Sequence, residues 1–439
     1  MKLTKYPLVL PILVLSVGSL AHANEALDVL EGKKKAEDIN LPAAPEGSAV
    51  SAPEPSYTPP AWSPSPMDSL WAKSVLFQDD ANPYIQQLAI TGFFDFQAAF
   101  GEVNVDRSGS TPKNSVDADG TRTRRARLGA RIRAFGNTDI EANAEFAGDS
   151  DYSGIERLSA RTELNENASL TYGKFRPTFT TEYSTEDEFL LTPDRSMLTN
   201  MIAPSQTLGI RYNQKWKDWE YGAGWFSGDR DPNIPGIQGN GFISLNARRT
   251  FIESSDETKL RGVWHVDYIN NMDGNTSDSI TRYNVKGRRS ANGNQLVNEN
   301  PSFRHLFSTG VTLEQDRYSF AADFMYAKGN SDVWGISLTP SYWAIPGTVK
   351  IVARYHYADS NDPGALVTTM GTSSDPAFDD SPFYVGDEFH SFYLGANLHL
   401  YQDRMLLMSG LEYDILKDET GGGFNADAWI WHTGARLSF

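Results

Sequence analysis

The sequence predicts an all-β protein, a 16-stranded antiparallel transmembrane β-barrel with short turns at the periplasmic end and long loops at the extracellular end. Three observations point there. Segments of nine to fifteen residues with two-fold alternation follow one another from Leu88 to the C-terminus. The connections between them alternate short and long, as barrel turns and loops do. The last strand stops on an aromatic residue and gathers Trp429, Trp431, Thr433, Ala435, Leu437 and Phe439 on one face.

Composition bounds the alternatives. The chain has 439 residues, no Cys, a net charge of −17 and 12% aromatic residues, with a mean hydropathy of −0.44. No apolar run after the first two dozen residues is long enough for a membrane-spanning helix, whereas alternating barrel strands keep mean hydropathy low. Without Cys there is no disulfide, thiolate metal site or cysteine nucleophile. The acidic balance argues against nucleic acid as a partner.

In chain order, residues 1–23 read as a signal peptide: Lys2 and Lys5, an apolar stretch from Leu8 to Val17, then Ala21-His22-Ala23 as an A-x-A cleavage site. Residues 24–84 read as a linker or periplasmic extension, with a charged stretch at Glu25 to Asp38 and a Pro/Ala/Ser-dense one at Pro42 to Pro66. Residues 85–439 hold the barrel. Its expected strands are Leu88–Phe100, Thr121–Phe135, Asp139–Gly148, Ile155–Leu164, Ala168–Arg176, Gln206–Trp216, Trp219–Gly228 and Asn240–Ile252. The second eight are Thr258–Ile269, His305–Gln315, Tyr318–Lys328, Val333–Trp343, Thr348–Ala358, Phe389–Leu400, Met405–Leu416 and Asp427–Phe439. Short turns such as Gly136–Thr138 and Lys217–Asp218 alternate with long loops such as Pro177–Ser205 and Asn270–Arg304, the exception being four residues at Gly329–Asp332.

The second strand fixes which face is wet. Its period of two puts Ala126, Leu128, Ala130, Ile132 and Ala134 on one side and Arg125, Arg127, Gly129, Arg131 and Arg133 on the other. A one-residue slip would push four arginines into lipid, at roughly 2–4 kcal/mol each near the midplane. The same parity turns Glu141, Asn143 and Glu145 inward, together with Arg157, Arg161, Arg211, Lys215, Arg248, Arg261, Lys350 and Arg354. A three-residue turn at Gly136–Thr138 pairs Arg133 with Glu141 and Arg131 with Asn143, leaving Arg125, Arg127 and Arg131 with no directly opposed carboxylate. Lumenal acids available to balance these cations are Glu163, Asp267, Asp323, Glu412 and Asp414.

The stretch RRARLGARIRAF, followed by YGKFRPTF and LLTPDRSMLTNMIAPSQTLGIRY, resembles the phosphate-selective porin family of the porin O and porin P type. That resemblance implies a homotrimeric sixteen-stranded channel in outer-membrane lipid that passes small anions such as phosphate, needs no cofactor and is not an enzyme. It implies a ladder at Arg125, Arg127, Arg131 and Arg133, a third loop, Pro177 to Ser205, folded into the lumen, and mouth residues Arg282, Lys286, Arg288 and Arg289. Lys174 and Arg176, just before that loop, join Arg211, Arg261 and Arg354 as candidate pore-lining cations. The family's constriction carries anion-binding lysines, whereas this loop carries Glu182, Glu186, Asp187, Glu188 and Asp194 against Arg195. An acidic loop facing a basic wall sets up a transverse field across a general diffusion pore; acids paired with the ladder would instead narrow the passage.

Other readings come from isolated residues. His265 and Asp267, two apart on one strand face, fit a hydrolytic pair, for which an ordinary wall hydrogen bond is the plainer account. Asp149-Ser150-Asp151 and Asp229-Arg230-Asp231 carry carboxylates that suit Ca²⁺ but read more simply as solvated loops. Gly421-Gly422-Gly423 lacks the lysine and strand-to-helix setting of a phosphate loop. A structural or adhesive barrel with a plugged lumen is a further alternative.

Overall fold

The computed structural model describes residues 66–107, 114–146, 152–252, 260–273, 280, 285–291, 296–370, 383–418 and 424–439. The expected signal segment, the extension up to residue 65, Arg282, Asp149–Asp151 and Gly421–Gly423 lie outside these residues.

Sixteen strands close a barrel. They are β1 Ile85–Arg107, β2 Gly120–Ala134, β3 Thr138–Glu145, β4 Gly154–Asn165, β5 Ala168–Phe175, β6 Thr207–Trp216, β7 Trp219–Phe226 and β8 Phe242–Ile252. Then follow β9 Arg261–Asn271, β10 Phe303–Gln315, β11 Tyr318–Gly329, β12 Asp332–Ile345, β13 Val349–Ser360, β14 Glu388–Tyr401, β15 Met405–Lys417 and β16 Phe424–Ser438. Each pairs antiparallel with the next, and β16 pairs with β1, so no edge is left open. Short strands Val75–Gln78 and Asn114–Asp117 add to β1 at its two ends.

The outer face is oily. Phe94, Phe96 and Phe100 of β1 and Trp429 and Trp431 of β16 are exposed side by side, the surface an acyl-chain environment requires. Backbone hydrogen bonds seal the seam: Phe439 and Gly92 each donate N–H to the other's carbonyl at 2.9 Å. Residues 66–78 do not run free as a linker. A helix, Pro66–Trp71, docks at the short-turn end, where Trp71 Nε1 donates to the Ser438 carbonyl at 2.7 Å and the Trp71 ring lies 4.8 Å from that of Tyr401.

Two details of the arginine strand correct the sequence expectation. The β2–β3 turn occupies residues 135–137, with Phe135 at φ 54° and Gly136 at φ 74°, so Ala134 pairs with Thr138. That moves every pair by two residues: Arg133 opposes Asp139, Arg131 opposes Glu141 and Arg127 opposes Glu145. The ladder therefore does face carboxylates. Second, the β1–β2 register breaks between Asp95 and Phe96, which pair with Arg125 and Thr123. Arg124 is the extra residue of a β-bulge, and beyond it the inward parity switches.

Candidate functional site

Residues 176–206, between β5 and β6, fold into the lumen rather than over the rim. The loop has two short helices, Thr181–Ser184 and Met197–Ile202, and a 3₁₀ turn at Asp187–Phe189. Side chains of the loop and of the barrel satisfy backbone groups that such short elements leave open. The Thr180 hydroxyl accepts from Tyr183 N at 3.0 Å, and the Asp323 carboxylate of β11 accepts from Thr181 N at 3.1 Å. On the far side, Arg436 of β16 donates to the carbonyls of Leu190, Thr192 and Pro193 at 2.6, 3.0 and 3.0 Å. Gln97 of β1 adds a bond to Pro193 O at 2.7 Å. The loop thus spans the lumen.

Its acids seize the arginine wall. The buried Asp187 carboxylate lies 3.0 Å from Arg125 Nε, 2.7 Å from Arg127 Nη2, 3.3 Å from Arg176 Nη2 and 2.6 Å from Arg195 Nη1. Burial alone would raise this carboxyl, yet Arg125, Arg176, Arg195 and Arg127 hold it well below the ordinary carboxylate range. Asp194 binds Arg122 at 3.2 Å and Arg124 at 3.0 Å. Glu186 binds Arg157 at 2.7 Å, and Glu182 binds Arg354 at 3.2 Å. Wall acids complete the set: Asp95 with Arg125 at 2.9 Å, Glu145 and Glu156 with Arg127 at 2.6 and 2.9 Å, and Glu412 with Arg354 at 2.9 Å. Of the three arrangements open from sequence, this is the one in which loop acids pair with the ladder.

The remaining sequence candidates divide. Lys174 points its ammonium at the carbonyls of Asp231, Pro232 and Asn233 at 3.1, 2.6 and 3.1 Å, holding the β7–β8 loop. Arg176 donates to Tyr183 O at 3.3 Å and Thr185 O at 3.2 Å. Arg133 pairs with Asp139 at 2.7 Å near the short-turn end, and Arg261 approaches Glu314 at 3.9 Å. Arg211 stacks over Phe175 at 5.5 Å and donates to the Thr178 hydroxyl. Of the mouth residues, Arg288 covers the Phe383 ring at 4.9 Å, while Lys286 and Arg289 are exposed. Glu188 forms no ion pair among the described residues.

His265 and Asp267 serve the loop's anchorage. His265 Nε2 lies 3.5 Å from Asp267 and 3.3 Å from Asp323, and Asp267 accepts from Ser308 at 3.0 Å. The Asp229 and Asp231 carboxylates cap their own turn, accepting from Asp231 N at 3.0 Å and from Asn233 N at 2.7 Å.

Two features escaped the sequence reading. Arg122 and Arg124 reach the lumen through the bulge, and the adjacent pair Arg124-Arg125 was its signal: no regular strand can turn both inward. The long-loop half of the lumen is also apolar. Leu198, Met201 and Ile202 pack there with Phe226, Phe242, Phe303 and Leu306 of the wall and with a hairpin, Leu366–Thr368 and Tyr384–Gly386. A cavity of about 60 Å³ remains beside the loop, lined by Gln97, Arg122, Asp194, Glu412, Asp414 and His432 together with apolar residues such as Phe389 and Ile430.

A model of the family described as phosphate-selective porin O and P matches residues 96–332. No curated protein matches the chain. Among solved structures, the chain resembles the anion-selective porin from Comamonas acidovorans, at 13% identity and a TM-score of 0.51, over 80% of this chain and 99% of that one. It resembles Pseudomonas putida OprB in its high-pH structure, at 12% and 0.52, over 79% and 94%. It also resembles Salmonella typhi OmpF in complex with daunomycin, at 10% and 0.50, over 83% and 100%. At these identities the likeness is one of fold.

Proposed function

Since the chain belongs to the phosphate-selective porin O and P family, and so is an outer-membrane channel for small solutes, we propose that it passes small anions, phosphate among them, by diffusion. The preference arises below the constriction loop, from guanidiniums that its acids do not reach, and not from Arg125 and Arg127 facing it. One observation carries this reading: Arg125 and Arg127 are bound to Asp187, whereas Arg131, Arg161, Arg211 and Arg248 form no ion pair among the described residues. The Nε atoms of Arg161 and Arg211 have no hydrogen-bond partner.

Uncompensated guanidiniums suit the task. Their charge is permanent, and their forks match oxyanion oxygens. An ion exchanging part of its hydration for Arg211, Arg161 and then Arg131 meets a series of shallow stops, which conduction requires. A transverse field is the second reading, favoured by Glu188, which sets one unpaired carboxylate on the loop against this wall. The reading includes a homotrimer, to be checked by mass in detergent, and an exported chain cleaved before Asn24.

Zero-current potentials in a KCl gradient test the proposal. The wild-type channel should prefer chloride, and Arg161→Gln, Arg211→Gln and Arg248→Gln together should abolish that preference. An unchanged potential in the triple variant would refute it, and equal permeation of both ions in the wild type would favour the transverse field.

A further inference from the structure

We propose that the inner wall at β6–β8 holds a recognition subsite for hydroxylated organic anions, such as a sugar acid. Arg211 and Arg248 receive the anionic group, and the amides of Asn213 and Asn246 receive the hydroxyls above a floor at Gly222. This rests on the anion-conducting reading and names a solute class for it.

The register builds the subsite. Asn213, Gly222 and Asn246 are direct neighbours across β6, β7 and β8, so all three share the lumenal face. Gly222 leaves room for both amides. A Cβ there would lie 2.2 Å from Asn246 Oδ1 and 2.8 Å from Asn213 Oδ1, so two amides converge over a position that has no side chain. Asn246 is only 8% exposed, and its Oδ1 has no hydrogen-bond partner, a costly state for a buried polar atom.

Strands β6 and β8 run in the same direction, each antiparallel to β7. Arg211 precedes Asn213 by two residues and Arg248 follows Asn246 by two. The guanidiniums therefore flank the amide pair on opposite sides along the wall. Glu220 of β7 opposes both Lys215 and Arg248 in register without an ion pair among the described residues.

The chemistry then selects the ligand. An anion without a donor, such as chloride or sulfate, serves the guanidiniums and leaves an amide oxygen unsatisfied. Side-chain amides offer acceptors as well as donors, and a hydroxyl group matches both. The amides meet over Gly222 while the two cations stand on strands two inter-strand spacings apart, about 10 Å, so a single-centre ion held by one guanidinium does not also reach the other. A solute with hydroxyls beside its charge can use both the cations and the amides.

The test uses the full-length channel in a planar bilayer, with gluconate and acetate as probes of equal charge. The readout is the concentration of each that halves the chloride current. Gluconate should act at about tenfold lower concentration, the worth of one or two added hydrogen bonds. Gly222→Ala, which fills the floor, and Asn246→Leu, which removes an amide, should each reduce that difference to about twofold or less. Equal half-blocking concentrations in the wild type, or a gluconate preference that survives both substitutions, overturns the subsite. The KCl zero-current potential of the wild type separately reports the anion preference, so a failure of that broader reading is distinguished from a failure of this one.

Discussion

Replacing Asp187 with Asn removes one charge from the centre of the lumen and leaves its shape unchanged. Four guanidiniums lose a partner, but not equally. Arg125 keeps Asp95 at 2.9 Å, Arg127 keeps Glu145 and Glu156, and Arg176 keeps Glu156 at 3.5 Å. Arg195 keeps the carbonyls of Glu182 at 3.1 Å and Thr185 at 2.7 Å and the Tyr183 ring at 5.8 Å, but no other ion pair among the described residues. The cost therefore falls on Arg195 and is that of breaking a buried ion pair, about 3–5 kcal/mol. The barrel's hydrogen-bonded wall does not depend on this carboxylate, so the loss appears as local opening of residues 176–206. Amide exchange at Asn200 and Ala203, whose N–H groups donate to the Ser196 and Thr199 carbonyls at 3.0 and 3.1 Å in the loop's second helix, should accelerate by roughly two to three and a half powers of ten. Single-channel records should become noisier. Adding Arg195→Met, which removes the stranded cation, should recover part of the loss, with a coupling of about 0.5–3 kcal/mol. Exchange rates and channel noise identical to wild type in Asp187→Asn would show that the carboxylate does not hold the loop.

Two further outcomes follow from the same geometry. Glu188 is pushed up to about 7 by burial and by the neighbouring carboxylates of Glu186, Glu141 and Asp187, with Arg127 opposing. It is neutral in acid and negative above neutrality, so the anion preference should weaken as pH rises through about 7, and Glu188→Gln should hold the zero-current potential constant over that range. At the seam, a Cβ on Gly92 would lie 2.2 Å from the Phe439 ring, so Gly92→Ala must evict the terminal aromatic from its place. The folded fraction on refolding into detergent micelles should fall, while Ala substitution at the exposed Phe94, which faces lipid beside it, should change that fraction far less.

The wall was legible from sequence because lipid and water sort side chains at a period of two. All sixteen strands fall where alternation puts them, and the inward acids Glu141, Glu145, Asp323, Glu412 and Asp414 follow from parity alone. Register inside a hairpin is a finer matter. The turn begins at Phe135 rather than Gly136 because Phe135 adopts a positive φ, which aromatic residues seldom do, and that one residue decides which carboxylate each arginine meets. The bulge at Arg124 could have been inferred from the adjacent arginine pair, since parity forces one of them toward lipid.

The hub at Asp187 had no such signal. Its partners come from positions 125, 127, 176 and 195, and no spacing rule relates a residue on a loop to one across the lumen. Composition gave the right elements, an acidic loop and a basic wall, but left their union open, because the free energy depends on burial. Exposed, the pairs would contribute little; enclosed by Phe93, Tyr183 and the strands, each charge needs a partner. The consequence runs from packing to transport. Once the loop is folded inward, the arginines nearest it must neutralise its acids, and the guanidiniums still available to a passing solute are those on β2, β4, β6 and β8 that its carboxylates do not reach.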